Sequence, residues 1–411
     1  MNHFYSASIL LPKDADMQQW SVIACDQFTS DPAYWQRVRA QVAQAPSTLH
    51  MILPEAELGG DEASKVASIN AAMLRYQEEG IFREYPNAYI YVERTLRNGM
   101  IRPGLVGMVD LESYDYRPGS ESPVRATEKT VLERIPPRQR VRRDASLEFP
   151  HVLMLCDDHE KILIEPIARN KSSMKKVYDF DLMEEGGHIT GWLLDEAASK
   201  AFDERLSTYS QNFESKYEGL SGAKVLFAVG DGNHSLATAK SCYEALKTAN
   251  PDTDLSCHPA RYALVELENI HDPSLVFEPI HRILTDVDVP GVLEAVKAVS
   301  AADGFAIEIV TGGKKETFFL DKSKGELAVA VLQEALDQYL TDHPGQIDYI
   351  HGDEEVIQLA KQENAVGFLL PAMEKGQLFR GVISRGVLPR KTFSMGHARE
   401  KRYYLEGRKI Q

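Results

Sequence analysis

The stretch Val225-Leu-Phe-Ala-Val-Gly-Asp-Gly-Asn-His-Ser-Leu-Ala-Thr-Ala-Lys240 decides how the chain is read. Val225 to Val229 is an apolar run of strand length, after which Leu236, Ala239, Tyr243 and Leu246 recur at helical spacing. Gly230 and Gly232 allow a tight turn between them, and Asn233 and Ser235 are residue types that cap a helix. The stretch therefore predicts strand, turn and helix. Unpaired N–H groups and the dipole at a helix N-terminus favour an anion, which makes Gly230, Gly232, Asn233 and Ser235 candidate phosphate-binding residues. Asp231 is out of place beside an anion unless a cation bridges the two or the carboxylate takes a proton during reaction. Both exceptions describe phosphoryl transfer. Asp231 is accordingly a candidate metal ligand and, with His234, a candidate catalytic residue. A structural turn, in which Asp231 and Asn233 bond the backbone and His234 packs beside them, explains the same residues. The stretch is neither GxxxxGK[ST] nor GxGxxG.

Before it, Ala198, Phe202, Leu206, Tyr209, Phe213 and Tyr217 recur every three or four positions, which predicts a long amphipathic helix whose aromatic stripe is core. NAYIYVERTL and IRPGLVGMVDL flank Asn98-Gly99 and predict a hairpin. Near the start, an apolar strand ends on Asp26 and Gln27, where polar groups commonly face a ligand; Asp31 and Pro32 then open a helix. FPHVLMLC and KILIEPIA are expected to be antiparallel strands joined by a turn at Asp157-Asp158-His159-Glu160. Beyond Asn250-Pro251, RYALVELENI is expected to start a second half, containing a hairpin around Thr311-Gly312-Gly313 and a helix at LAVAVLQEALDQYLTDH. Hairpins mixed with strand-to-helix units predict the α+β class with mixed sheets, organised as residues 1–250 and 251–411.

A chain of 411 residues, 43% hydrophobic and 26% charged, is expected to form two folded domains. The four cysteines lack zinc-ligand spacing and read as reduced thiols. No apolar run is long enough for a membrane span, and MNHFYSASILLPKD has no secretory pattern, so a cytoplasmic location without membrane association is expected. The net charge of −15 argues against a nonspecific nucleic-acid binder. Charge is nevertheless uneven: Arg125 to Arg143 holds seven basic residues against two acids, and Lys375 to Gln411 ten against two. Each run is either a solvated basic face or an anion site. Lys391, Thr392, Ser394 and His397 in the tail are candidates to fold back on the site or to serve packing.

DGNHSLATA resembles the GHHRxxAA box of the ParB and sulfiredoxin-like superfamily and the DGHHR loop of the ParB-like free-serine kinases. WSVIACDQFTSDPAYW, RPGLVGMVDLESYD, ATEKTVLERIPPRQR, QIDYIHGDEEV and LPRKTFSMGHAREKRYYLEGRKI together resemble a bacterial and archaeal family known only as domain of unknown function number one thousand and fifteen. These segments span nearly the whole chain. The resemblance implies a ParB/sulfiredoxin-like nucleotide-binding core and a link to serine metabolism, through serine phosphorylation or ADP-dependent dephosphorylation of phosphoserine. Asp231, Gly232 and His234 match the Asp, Gly and second His of the kinase loop, whereas Asn233 replaces its first His and Ser235 its Arg. Losing that Arg removes a bidentate phosphate donor. Lys129, Arg134, Arg138 and Arg140 are the candidate substitutes, Glu128 a candidate base or amine-binding carboxylate, and Asp26, Gln27 and Thr130 candidate substrate ligands.

The resulting expectation is an enzyme that moves a phosphoryl group between ADP or ATP and a small hydroxy compound, with Mg2+ screening the phosphates. A homodimer is among the expected assemblies. Two alternatives are a noncatalytic nucleotide-binding regulator, which has no need of the acid and imidazole, and a ParB-like DNA-associated protein. The latter needs a helix-turn-helix after the box, where RYALVELENI reads as strand instead.

Overall fold

A computed structural model describes residues 2–130, 135–217, 220 and 225–411. The chain forms two compact units, Met1–Leu275 with His397–Gln411, and Val276–Gly396. The class is mixed α and β, as expected, but the units do not follow the expected division at residue 250. The strand Tyr262–Asn269 lies inside the first unit's sheet, parallel to Leu153–Cys156 and antiparallel to Ile101–Asp110. The last residues also return to the first unit, where Tyr403–Tyr404 pairs antiparallel with Val22–Ile23. Strand pairing across long sequence separations, which local pattern does not encode, draws the boundary.

The first unit is built on a ten-stranded sheet among the described residues. Its order runs Lys175–Asp181, His188–Leu193, Ile90–Thr95, Ile101–Asp110, Tyr262–Asn269, Leu153–Cys156, Phe227–Asp231, Val124–Ala126 and Tyr114–Asp115, and Phe4–Tyr5 pairs with Ile101–Asp110. The expected hairpin joins Ile90–Thr95 to Ile101–Asp110, with Gly99 at φ +80°. The helix Glu196–Lys216, capped by Asp195, turns its aromatic stripe onto the sheet: Phe202 lies 5.1 Å from Tyr89 and Tyr209 lies 6.3 Å from Phe227, centroid to centroid. Asp31 caps Pro32–Val42, as the sequence predicts.

KILIEPIA does not form the expected strand. Glu165–Ala168 is a short helix, and the sheet neighbours of Leu153–Cys156 are Phe227–Asp231 and Tyr262–Asn269. The apolar residues Leu163 and Ile164 are buried without joining the ladder, because burial of a short apolar run does not by itself select strand geometry.

The second unit holds a six-stranded sheet among its described residues, in the order Lys314–Asp321, Gly304–Thr311, Val366–Leu369, Phe277–Thr285 and Gln346–His351, with Phe393–Met395 pairing the first part of Phe277–Thr285. The expected hairpin is Gly304–Thr311 with Lys314–Asp321, and the expected helix is Ala328–Asp342.

Candidate active site

The opening stretch folds as strand Phe227–Asp231, a single left-handed residue at Gly232, and helix Asn233–Ala249. Gly232 has φ 78° and ψ 25°, and a Cβ there would lie 3.0 Å from the Val152 Cα. Both backbone conformation and close approach therefore call for glycine. Neither expected cap is used, since Gly232 itself occupies the N-cap position without a side-chain bond. Asn233 is buried, and its Oδ1 accepts from the Thr127 N–H at 3.2 Å while Nδ2 faces Thr127 Oγ1 and the Val229 carbonyl at 3.3 and 3.4 Å. Its amide ties the turn to the neighbouring segment.

Register decides what meets this turn. Leu153 lies opposite Asp231 in the antiparallel pair of Leu153–Cys156 with Phe227–Asp231. The start of one strand thus adjoins the end of the other, and His151, two residues before Leu153, reaches the first turn of the helix. Its Nε2 is 3.1 Å from Ser235 Oγ, and its Nδ1 is 2.7 Å from the Tyr404 hydroxyl. The Tyr404 oxygen also accepts from the Cys25 backbone N–H at 3.1 Å. Tyr404 arrives on the strand Tyr403–Tyr404, whose position is set by pairing with Val22–Ile23 and by buried arginines. Arg94 donates to the carbonyls of Arg399, Glu400 and Lys401, and Arg402 pairs with Glu266 and Glu406, each at 2.8 Å.

The same tail carries Lys401, whose Nζ stands 3.4 Å from Asp231 Oδ2. That carboxylate oxygen is buried and has no hydrogen-bond partner. The two groups attract as charges but are not aligned as a bond. Burial lowers the His151 imidazole below its ordinary value, against the pull of Asp26 and Asp231, while Arg138 and Arg402 add to the lowering. For Asp26, burial works against ionisation, but His151, the Gln27 amide, Lys401 and Arg138 outweigh it and hold the carboxyl below its ordinary range. Gln27 Nε2 donates to Asp26 Oδ1 at 3.0 Å. Burial pushes the Cys25 thiol up to about 11, so it is a neutral S–H.

A cleft opens beside His151, Ser235 and Tyr404, enclosing about 960 Å3 of empty space when the open solvent at its mouth is counted. Met51, Leu53, Val141, Phe149 and Leu236 give it apolar walls. Arg138, on the basic helix Ile135–Arg143, also lines it and forms an ion pair with Glu55. The prolines Pro136 and Pro137 lie in the first turn of that helix, where a missing N–H is tolerated. Gln139 fastens the helix to Asn233–Ala249 through Ser241 Oγ at 2.7 Å.

Of the residues singled out in the sequence, Asp231, Ser235, Asp26, Gln27 and Arg138 are brought to one neighbourhood around His151. His234 and Glu128 are half-buried, Gly230 is partly exposed, and Lys129 is exposed. Thr130 is buried, with a hydroxyl that lacks a hydrogen-bond partner. Arg140 is exposed and bonds Glu62, so it is drawn to the protein's outer surface. Arg134 lies outside the described residues. Lys391, Thr392 and Ser394 belong to the second unit, while His397 belongs to the first. The basic tail does contribute, but through Lys401 and Tyr404. These two and His151 are the residues that sequence reasoning missed. His151 carried a usable signal, an imidazole directly before a buried strand whose partner ends on an acid; Lys401 and Tyr404 carried none before the tail's pairing was known. Among the described residues no group of three or more His, Cys, Asp or Glu side chains is arranged to hold a metal.

No curated protein matches the chain. Among solved structures, a C-terminally truncated SbnI from Staphylococcus aureus aligns with a TM-score of 0.37 at 10% identity, covering 71% of this chain and 82% of that one. A free serine kinase in complex with AMP aligns at 0.36 and 12%, covering 73% and 92%. A conserved hypothetical protein from Pyrococcus furiosus aligns at 0.33 and 12%, covering 72% and 90%. Likeness at this level carries no functional weight. The sequence itself is more informative, because the model of the family described as "Protein of unknown function (DUF1015)" matches residues 8–369, and the chain belongs to that family.

Proposed function

We propose that the protein transfers a phosphoryl group between an adenine nucleotide, ADP or ATP, and a small hydroxy compound, with serine or phosphoserine as the leading pair. The observation that carries this reading is the convergence at one turn of a helix N-terminus, the Lys401 ammonium and Asp231, whose buried Oδ2 has no hydrogen-bond partner, next to a cleft that Ser235 lines. Free N–H groups and a cation attract phosphate oxygens, and an acid left unsatisfied among them suits proton transfer or cation binding. The choice of serine rests on the resemblance of DGNHSLATA to the free-serine-kinase loop.

In this reading the turn Gly230 to Ser235 and Lys401 hold the nucleotide phosphates, and Arg138 neutralises charge at the cleft. Lys401 supplies the cation expected from an Arg at position 235. The substrate hydroxyl attacks the terminal phosphorus, the bond from phosphorus to the leaving oxygen breaks, and Asp231 takes the hydroxyl proton. Glu128, Asp26 and Gln27 would orient the substrate, and His234 would donate to a phosphate oxygen. Mg2+ is commonly held by one or two carboxylates together with substrate phosphates. Where the proton leaves by another route, Asp231 would instead offer one such carboxylate to the ion, which would supply further charge neutralisation.

Thermal denaturation with ATP, ADP, AMP, serine and phosphoserine, with and without Mg2+, tests the reading. A nucleotide at 100 times its Kd should stabilise the protein by about 2.7 kcal/mol. Asp231→Asn should keep that stabilisation and lose about 100-fold or more in transfer followed by phosphorus NMR. If no nucleotide moves the midpoint, the reading is wrong. Binding without turnover in the unaltered protein would leave a nucleotide sensor.

A further inference from the structure

The hydroxyls around His151 have a directional order that sequence analysis did not anticipate. Tyr404 is buried and holds its proton firmly, because burial raises its phenol well above the ordinary value. Its oxygen already accepts from the Cys25 N–H. Its own proton therefore needs an acceptor, and the choices beside it are the Cys25 sulfur, a weak acceptor, and His151 Nδ1 at 2.7 Å. The imidazole nitrogen is much the stronger. A neutral imidazole that accepts at Nδ1 carries its proton on Nε2, and Nε2 lies 3.1 Å from Ser235 Oγ.

With Oγ receiving that proton, the Ser235 hydroxyl hydrogen must point elsewhere. In a helix a serine often returns it to the carbonyl four residues back, as Thr238 does to the His234 carbonyl at 2.7 Å. Ser235 makes no such bond, and among the described residues His151 is the recorded partner of its oxygen. Ser235 lines the cleft.

We infer that Tyr404 is a positioning residue: it holds His151 as the Nε2–H tautomer, which turns the Ser235 hydroxyl outward as a donor to an anionic oxygen of a ligand in the cleft, a phosphoryl oxygen. Naming that oxygen as phosphoryl rests on the function proposed above, whereas the order of the protons does not. The residue that replaces the Arg of related boxes thus donates one oriented hydrogen bond, and a chain segment 253 positions from His151 sets its direction.

Long-range proton–nitrogen correlation spectra of the full chain with nitrogen-15-labelled histidine decide the matter, with His151→Gln identifying the signal. At pH 7.5 the ring should show the Nε2–H pattern, and Tyr404→Phe should convert it to a mixture or to Nδ1–H. An Nδ1–H ring in the unaltered protein overturns the inference and needs no variant to fold. Ligand titrations with ADP and with inorganic phosphate form the second arm. Ser235→Ala and Tyr404→Phe should each weaken binding roughly tenfold, the worth of a hydrogen bond to a charged group, and the double variant should be no weaker than Ser235→Ala alone. Full additivity, or unchanged affinity in Tyr404→Phe despite an altered tautomer, overturns the positioning role. If neither ligand binds the unaltered protein, the phosphotransfer reading fails, and the spectra alone judge the proton order.

Discussion

The two ends of the strand Leu153–Cys156 carry much the same chemistry and use it in opposite ways. Before the strand, His151 adjoins Asp231 and Asp26 at a cleft, and the buried Asp231 Oδ2 lacks a hydrogen-bond partner. After it, Asp157 is saturated: Oδ1 is 2.5 Å from His271 Nε2, Oδ2 is 2.7 Å from Lys216 Nζ, and the Tyr217 hydroxyl bonds it as well. Acid, imidazole and lysine occur at both ends. Satisfaction distinguishes them, since a carboxylate with all its partners inside the protein stabilises the fold, while one left without them can serve a ligand.

That contrast predicts opposite outcomes for removing either acid. Asp157→Ala removes the carboxylate that His271, Lys216 and Tyr217 bond and should cost about 2–3 kcal/mol in urea denaturation. Asp231→Ala removes an unsatisfied oxygen and should change stability by no more than about 1 kcal/mol. Equal losses from both would erase the distinction. A smaller difference is expected at two glycines of similar φ. Gly232→Ala meets both backbone strain and the Val152 backbone at 3.0 Å, whereas a Cβ at Gly99 meets nothing within 4 Å. The first should cost about 2 kcal/mol or more and the second about 1 kcal/mol, measurable as separate denaturation midpoints.

The finest comparison is by pH. Asp26 is held below its ordinary range, burial being outweighed by its charged neighbours, so its contribution to stability is present above the unfolded-state value and is lost as pH falls through the folded one. Asp158, next to Asp157, is raised by burial against backbone N–H bonds from Leu163, Ile162 and Lys161. Its contribution is present below the unfolded-state value and is lost as pH rises through the folded one. Denaturation midpoints between pH 3 and 7 should therefore fall less steeply towards acid in Asp26→Asn, and Asp158→Asn should gain stability relative to the unaltered protein towards neutral pH. The same direction of change in both would contradict the assigned environments.

Local elements were legible because their causes are local. The aromatic stripe on Glu196–Lys216, the Asp31 cap and the turn at Asn98-Gly99 each follow from periodicity or side-chain chemistry within a few residues. The Gly230 to Ser235 turn was recognisable for the same reason, although its cap was misassigned to Asn233 or Ser235. An unexpected contact with Thr127 claimed the Asn233 amide. KILIEPIA was misread because an apolar run fits several buried conformations.

Composition, turn chemistry and periodicity established the mixed α and β class, the strand, glycine turn and helix of the candidate site, and an acid poised at its turn. They did so because backbone preference and amphipathic spacing act over one or two turns of chain. Which groups would stand around that acid was settled by folding at long range: the register of Leu153 against Asp231 brought His151, and the pairing of Tyr403–Tyr404 with Val22–Ile23 brought Lys401 and Tyr404. Strand partners are chosen by burial and hydrogen bonding summed over the whole sheet, a quantity that no short segment contains.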